Sequence, residues 1–211
     1  MIKYLIWDFD GVLCDSLSLA IEAHNTILGI NRTDESPTIR RDTYLRELDD
    51  ILATDNTSKI SSYYLEHRNL MYISRKKLHL FDDIIVFIEN CTIPSIILTS
   101  TYEKLVIDVL SNNNVDAGVF SKIIGRETEG NKVQKIQDYL LMQHLNPNEV
   151  LAIGDSPSDM EFCDKTGIPF IAVTYGYYPL NRFEEERTVA IFDTPGQLAA
   201  GMNSILSYNN E

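Results

Sequence analysis

The sequence predicts an α/β fold in which a parallel sheet is interrupted by a small all-helical module. Short apolar runs alternate with helical patterns along residues 93–211, which is typical of a parallel sheet covered by helices on both faces. A further apolar run opens the chain, and a stretch with helical periodicity alone separates it from the others. The charge divides in the same way: residues 16–80 carry nine basic and nine acidic residues, so the net charge of −13 falls entirely on the rest of the chain.

The first predicted strand lies within residues 3–9, which are mostly apolar or aromatic, and it ends at the turn formed by Asp10 and Gly11. Apolar residues then recur at helical intervals, and Gly29 provides the first helix stop. No strand pattern occurs between about residues 12 and 90, so this stretch is predicted to be all-helical. Its predicted helices are residues 16–28, 40–53 and 58–74.

The second half of the chain alternates between strands and helices. The predicted strands are residues 93–99, 119–124, 150–153, 170–173 and 189–192. The predicted helices span about residues 101–111 and 131–144, and two more begin near Pro157 and Pro195. We therefore expect two domains, an α/β core of residues 1–14 and 83–211 and an inserted helical domain of residues 15–82.

Composition narrows the class of protein. The net charge of −13 argues against a nucleic-acid backbone as a partner. No stretch approaches the ~20 apolar residues of a membrane span, and the opening apolar run is too short for a signal peptide. We expect a cytoplasmic protein, a monomer or a homodimer, that binds neither nucleic acid nor a membrane.

Polar side chains with catalytic potential lie close to the ends of three predicted strands. Because parallel strands end at one edge of a sheet, these side chains are expected to converge there. Two like charges ~4 Å apart cost about 4 kcal/mol at an effective dielectric near 20, so clustered carboxylates need protons or a cation. Oxygen ligands without His or Cys favour Mg²⁺. The residues are Asp8 and Asp10 after the first strand, Thr99 and Ser100 at the end of the second, Asp155 and Asp159 after the fourth, and Lys132 in the turn before a helix.

Four short motifs contain these residues. They are Asp8-Phe-Asp10-Gly-Val-Leu, Ile96-Ile97-Leu98-Thr99, Lys132 and Gly154-Asp155-Ser156-Pro-Ser-Asp159. In this order they resemble the motifs of the haloacid dehalogenase-like superfamily, in particular its phosphoglycolate-phosphatase-like members. The resemblance covers essentially the whole chain and implies a Rossmann-like core with a helical cap inserted between the first two motifs. The family's lysine usually precedes proline, whereas Val133 follows Lys132, so Lys122 and Lys135 remain alternatives.

The resemblance implies a role in phosphoryl transfer for each of these residues. Asp8 would attack phosphorus and form an aspartyl-phosphate, and Asp10 would protonate the leaving oxygen and then activate water. The ligands of Mg²⁺ would be Asp8, the carbonyl of Asp10, Asp155 and Asp159. The phosphoryl group would be bound by Thr99, Ser100, Lys132 and Gly11.

The activity so implied is Mg²⁺-dependent hydrolysis of a small phosphorylated metabolite. Dehalogenases of the superfamily lack the second aspartate, so Asp10 argues against them. Mutases resembling β-phosphoglucomutase carry a histidine five residues after the position of Asp15, where this chain has Ala20. A phosphomutase and a non-catalytic phosphate-binding protein remain the alternatives. The cap would select the substrate, and three of its arginines are candidates for contacting an anionic leaving group: Arg40, Arg41 and Arg46.

Overall fold

The larger of two units in the chain is built around a parallel sheet of six strands. The structure, a computed structural model, describes residues 1–32 and 35–208. The larger unit comprises Met1–Asp15 and His79–Glu211, and the smaller unit comprises Ser16–Leu78. Within these residues the strands are β1 (Tyr4–Trp7), β2 (Cys14–Asp15), β3 (His79–Leu80), β4 (Ser95–Leu98), β5 (Phe120–Ile124), β6 (Val150–Gly154), β7 (Phe170–Val173) and β8 (Ala190–Phe192).

The six strands are ordered β5-β4-β1-β6-β7-β8, and every neighbouring pair is parallel. β1 lies at the centre because it is apolar on both faces, and Leu5, Ile6 and Trp7 are buried. Trp7 is level with Ile97 of β4 and with Ile153 of β6. The carboxyl ends of these three strands therefore lie side by side where the strand order reverses, which is where such sheets bind ligands.

The helices among the described residues are α1 (Leu17–Leu28), α2 (Pro37–Leu52), α3 (Thr57–Ile73), α4 (Asp82–Asn90), α5 (Glu103–Asn112), α6 (Lys132–Met142), α7 (Pro157–Thr166) and α8 (Pro195–Tyr208). Four of these, α2, α3, α6 and α7, begin after a residue whose side chain accepts a hydrogen bond from a helix N–H. α6 begins with a capping box, in which the side chains of Asn131 and Gln134 each accept a hydrogen bond from the backbone N–H of the other residue. α7 opens on Pro157, after Ser156, whose hydroxyl accepts from the backbone N–H of Asp159. Among the described helices, none is long and apolar enough to cross a membrane.

The smaller unit is built from α1, α2 and α3, with α1 packed against both of the others. Its interior is partly polar. His24 is fully buried and lies 2.7 Å from the hydroxyl of Tyr63 and 3.0 Å from a carboxylate oxygen of Glu47. Glu47 also accepts two hydrogen bonds from the guanidinium of Arg32. One polar network therefore joins the three helices.

The predicted α/β architecture with a parallel sheet is confirmed, but residues 12–90 are not all-helical. β2 and β3 form an antiparallel pair, with Asp15 opposite His79, and two-residue strands are too short to show an alternating pattern. α4 lies within the stretch predicted to be all-helical, but its bounds were not predicted, because its apolar run is nearly continuous. The helical unit ends at Leu78, not at residue 82, because the next two residues form β3.

Candidate active site

The carboxyl ends of β1, β4 and β6 bring the predicted polar residues together at one edge of the sheet. The backbone N–H of Asp8, which follows β1, donates to the carbonyl of Ile153 at 3.0 Å. The N–H of Thr99, which follows β4, donates to the carbonyl of Ile124 at 3.0 Å. Asp155 follows β6 directly. The ladder of the sheet therefore fixes the backbone from which these side chains project.

Three aspartates form a carboxylate cluster at this edge: Asp8, Asp155 and Asp159. One carboxylate oxygen from each lies within 4.8 Å of the others. Asp155 and Asp159 are buried, and Asp8 is partly exposed. The carboxylate of Asp10 does not belong to this cluster, although the residue lies in the adjoining turn.

Lys132 is the lysine that reaches the carboxylate cluster. Its Nζ lies 3.1 Å from Oδ1 of Asp8 and 2.6 Å from Oδ1 of Asp159. The two alternatives from the sequence lie elsewhere. Lys135 donates to the carbonyl of Gly125 at 2.8 Å, and Lys122 is exposed on β5. As the first residue of α6, Lys132 is placed by the capping box that starts that helix.

One ammonium does not keep three carboxylates ionised. Burial raises the pKa of Asp8 to about 7. The positive charge of Lys132 acts to lower this pKa, and the negative charges of Asp159 and Asp10 act to raise it. Burial, followed by the charges of Asp8 and Asp159, also raises the pKa of Asp155 well above its ordinary value. Burial alone would lower the pKa of Lys132, but Asp159 and Asp8 outweigh it and raise that pKa. The cluster is therefore short of positive charge.

The donor set of the cluster fits Mg²⁺. All its ligand atoms are carboxylate oxygens, which a small hard cation prefers to the nitrogen and sulfur ligands of transition metals. A bound dication would supply the missing positive charge and favour the ionised form of Asp8 and Asp155. The described residues able to hold it are the three members of the cluster.

The loop after β7 also shapes the cluster, which the sequence did not reveal. The backbone N–H of Tyr177 donates to Oδ2 of Asp155 at 2.6 Å. Gly176 and Gly11 both pack against that carboxylate, and a Cβ on either glycine would collide with Oδ2. Gly11 in addition has a φ of +77°, which favours glycine. The sequence predicts Gly11 as a phosphoryl contact, and the structure places it beside Asp155.

Thr101 is a second site residue that sequence reasoning missed. Its hydroxyl donates to Oδ2 of Asp10 at 2.6 Å, and its backbone N–H donates to the hydroxyl of Thr99 at 3.0 Å. Thr99 is buried, whereas Ser100 between them is exposed. The run of three hydroxyl residues after β4 was the available signal, but it does not indicate which hydroxyl meets a carboxylate.

The three predicted arginines of the helical unit differ in their surroundings. Arg40 lines a cavity of about 410 Å³ beside α1, together with Arg32 and Asn25. The Nε atom of Arg40 is buried and has no hydrogen-bond partner among the described residues. Arg41 lies 3.5 Å from Asp42, and Arg46 is exposed on α2.

Comparison with known proteins gives one family and many structural neighbours. The model of the haloacid dehalogenase-like hydrolase family matches residues 5–173, a range that contains the carboxylate cluster, Lys132 and the helical unit. A search of the curated proteins finds no match.

The solved structures share the fold of this chain along almost their whole length. A haloacid dehalogenase-like family hydrolase from Streptococcus pneumoniae is 24% identical, with a TM-score of 0.76, covering 95% of this chain and 98% of its own. A predicted phosphatase from Clostridium acetobutylicum is 16% identical, with a TM-score of 0.75 and coverage of 97% and 99%. A predicted phosphoglycolate phosphatase from Haemophilus somnus is 15% identical, with a TM-score of 0.72 and coverage of 95% and 98%.

Proposed function

Because this chain belongs to the haloacid dehalogenase-like hydrolase family, we propose that it is a phosphatase that hydrolyses a small phosphomonoester through a covalent intermediate on Asp8. The observation that carries the proposal is the position of Lys132, whose Nζ joins Asp8 to Asp159 within a cluster of three carboxylates. An ammonium beside a carboxylate nucleophile is suited to holding a phosphoryl group against it.

Asp8 is the proposed nucleophile. Its carboxylate attacks phosphorus, the bond from phosphorus to the leaving oxygen breaks, and an aspartyl-phosphate forms. Its backbone is held by Ile153, so the attacking oxygen is presented from a fixed position. Water then attacks the same phosphorus and releases inorganic phosphate and the free Asp8 carboxylate.

Asp10 is the proposed general acid and base. It gives its proton to the leaving oxygen in the first step and takes a proton from the attacking water in the second. The hydroxyl of Thr101 donates to Oδ2 of Asp10, which leaves the other carboxyl oxygen for this exchange. Two aspartates separated by one residue therefore divide the work, one as nucleophile and one as proton carrier.

The proposed phosphoryl contacts come from four residues around Asp8. Lys132 offsets the charge of the phosphoryl oxygens, and Thr99, Ser100 and Gly11 are the remaining contacts. Asp8, Asp155, Asp159 and the carbonyl of Asp10 are the proposed ligands of Mg²⁺. When bound, Mg²⁺ supplies further positive charge to the phosphoryl oxygens.

Hydrolysis is preferred to the two alternatives for specific reasons. Ala20 stands where mutases resembling β-phosphoglucomutase carry a histidine, and its methyl group cannot carry a proton. A non-catalytic phosphate-binding protein has no need of a second aspartate hydrogen-bonded to a threonine beside the first. Dehalogenation is disfavoured by the same aspartate, Asp10.

The leaving group is proposed to be anionic and to be selected by the helical unit, with Arg40 as its contact. Of the three arginines, Arg40 has a buried nitrogen without a partner among the described residues. Arg40→Gln is expected to raise KM for an anionic substrate, whereas Arg46→Gln, at an exposed position, leaves KM unchanged. Equal effects of both variants would contradict the assignment of Arg40.

We also propose that the enzyme is cytoplasmic, that it is a monomer or a homodimer, and that it acts on a phosphorylated metabolite.

The test of the proposed function is a screen of small phosphate esters with Mg²⁺ and with EDTA. Asp8→Asn is expected to abolish phosphate release. Asp10→Asn, given p-nitrophenyl phosphate, whose leaving group departs without a proton, is expected to leave a slowly hydrolysed phosphoenzyme detectable by mass spectrometry. Asp138→Asn, at an exposed position on α6, is the matched control and should be fully active. Turnover by Asp8→Asn would refute the mechanism, and an isomerised sugar phosphate in place of free phosphate would identify a mutase.

A further inference from the structure

The loop after β7 makes a second contact, which the proposed mechanism does not use. The hydroxyl of Tyr175 donates to the backbone carbonyl of Val12 at 3.0 Å. Two residues later, the N–H of Tyr177 donates to Asp155. This one loop therefore touches both the carboxylate cluster and the turn that follows β1.

The turn after β1 carries Asp10 and is tightly closed. The N–H groups of Leu13 and Cys14 both donate to the carbonyl of Phe9, at 3.0 and 2.9 Å, and the N–H of Gly11 donates to the carbonyl of Cys14 at 2.9 Å. Val12 at its apex is fully buried. A buried carbonyl needs a donor, and the hydroxyl of Tyr175 provides one to Val12.

The ring of Tyr175 is held from a second side by Phe81. The two rings meet edge to face, with centroids 5.0 Å apart and an interplanar angle of 78°. The N–H of Phe81 donates to the carbonyl of Leu13 at 2.9 Å, so Phe81 is anchored to the same turn. Burial, with a contribution from Asp155, raises the pKa of Tyr175, which keeps its hydroxyl protonated as a donor.

We propose that Tyr175 is a positioning residue that fixes, through the carbonyl of Val12, the turn from which Asp10 reaches the leaving oxygen. This inference rests on the proposed function, because it assigns Tyr175 an effect on the proton donated by Asp10. A displacement of about 1 Å in such a group can reduce the rate about 100-fold. The effect of Tyr175 is therefore on the chemical step and not on substrate affinity.

Tyr175→Phe tests the proposal, because it removes the hydroxyl and keeps the ring against Phe81. We expect the single-turnover rate of leaving-group release to fall roughly tenfold on an alkyl phosphate, whose leaving oxygen needs a proton, with KM changed by less than about twofold. On p-nitrophenyl phosphate, whose leaving group departs without a proton, the single-turnover release of p-nitrophenol is expected to keep the rate of the unchanged protein. Single turnovers are used because Asp10 also activates water in the second step, which both substrates share. A purely structural role would lower both rates by the same factor.

Tyr139→Phe is the matched control, because it also removes a buried tyrosine hydroxyl, one bonded to Tyr4 in the core away from the site. It should lower the melting temperature without the dependence on leaving group. Phe81→Leu keeps the hydroxyl of Tyr175 but loosens its ring, and a smaller loss with the same dependence is expected. Equal losses in the single-turnover rate of leaving-group release on both substrates, or no loss on either, would overturn the proposal.

The failure of this inference differs from the failure of the proposed function. If Asp8→Asn remains active, the proposed mechanism is wrong whatever Tyr175→Phe does. If Asp8→Asn is inactive and Asp10→Asn shows the dependence on leaving group while Tyr175→Phe does not, the mechanism stands and the role of Tyr175 is wrong.

Discussion

Lys132 is the residue on which the balance of charge in the site depends. Its ammonium faces Asp8 and Asp159 at hydrogen-bond distance, and Asp159 is almost completely buried. A buried carboxylate that loses its cation keeps the full cost of leaving water. The same side chain is therefore expected to support both stability and phosphoryl binding.

Lys132→Met is expected to reduce kcat/KM at least about 100-fold, because the phosphoryl oxygens lose a positive contact. In EDTA at pH 8 the free energy of unfolding should fall by about 3 kcal/mol, which is near the lower limit for breaking a buried ion pair. The loss of unfolding free energy should be smaller at pH 5, where the raised pKa of Asp8 lets the Asp8 carboxylate take up a proton. Urea unfolding at both pH values measures the two losses. Lys122→Met, on an exposed residue, should change neither quantity, and an equal effect would argue against the charge explanation.

Thr101→Val is expected to lower kcat roughly tenfold on alkyl phosphates, because Asp10 loses the hydroxyl that orients its Oδ2 atom. KM should change little, since Thr101 has no proposed contact with substrate. Thr101→Ser keeps the hydroxyl and should retain most of the activity. Steady-state kinetics of the two variants test this. A loss in the serine variant as large as in the valine variant would show that the hydroxyl is not the cause, and a loss in the serine variant alone would point to the missing methyl group.

At the scale of single residues, the sequence could predict the groups that follow strands but not the groups that support them. Asp8, Asp155 and Lys132 stand at motif positions beside predicted strands, and the structure brings them together. Thr101 and Tyr177 contact carboxylates that are 91 and 22 positions away in the chain. No local pattern selects such partners, because they are set by which loops the sheet topology places side by side.

At the scale of elements, the start of α6 decides where Lys132 stands. Asn131→Ala removes one half of the capping box and is expected to cost about 1 kcal/mol of stability. It should also lower kcat/KM severalfold, because Lys132 is the next residue. Thermal unfolding and kinetics together measure the two effects.

Asn146→Ala is the matched control for that prediction. Asn146 precedes a short 3₁₀ turn before β6, and its backbone N–H and side-chain amide both donate to the carboxylate of Glu149. Its loss should have a similar cost in stability and leave kcat/KM unchanged. Loss of activity in both variants would show that general destabilisation, not the position of Lys132, is responsible.

Most elements could be predicted because their pattern is local. The strands of the sheet are short apolar runs, and α1, α2 and α3 show helical spacing over three or more turns. The bounds of α4 and the β2–β3 pair could not be predicted for opposite reasons. The nearly continuous apolar run of α4 does not define where a helix begins and ends, and the two-residue strands exist only because residues distant in sequence are brought together.

For the molecule as a whole, the raised pKa of Asp8 makes stability depend on pH when metal is absent. Between about pH 4 and pH 7 the folded state keeps a proton on Asp8 that the unfolded state has lost. The contribution of Asp8 to the free energy of unfolding therefore falls as pH rises through that window. This contribution is constant above the pKa of Asp8 in the folded state, where Asp8 is ionised in both the folded and the unfolded protein.

The increase in melting temperature given by Mg²⁺ is accordingly expected to be larger at pH 8 than at pH 5. At pH 5 the cation must displace a proton from Asp8 before it binds. Calorimetry with Mg²⁺ and with EDTA at the two pH values measures the difference. Asp155→Asn should reduce the increase in melting temperature at both pH values, and Asp138→Asn should leave that increase unchanged. A gain independent of pH would contradict the raised pKa of Asp8.

The β2–β3 pair has a consequence for how the chain folds and diversifies. Because Asp15 lies opposite His79, the sixty-odd residues between them leave and return at nearly the same point. Closing a flexible loop of that length costs about 4 kcal/mol of chain entropy. We expect the packing of α1 against α2 and α3 to offset that cost by holding the two ends of the segment together. We also expect the segment to tolerate changes in length, since β2 and β3 fix its ends whatever lies between them.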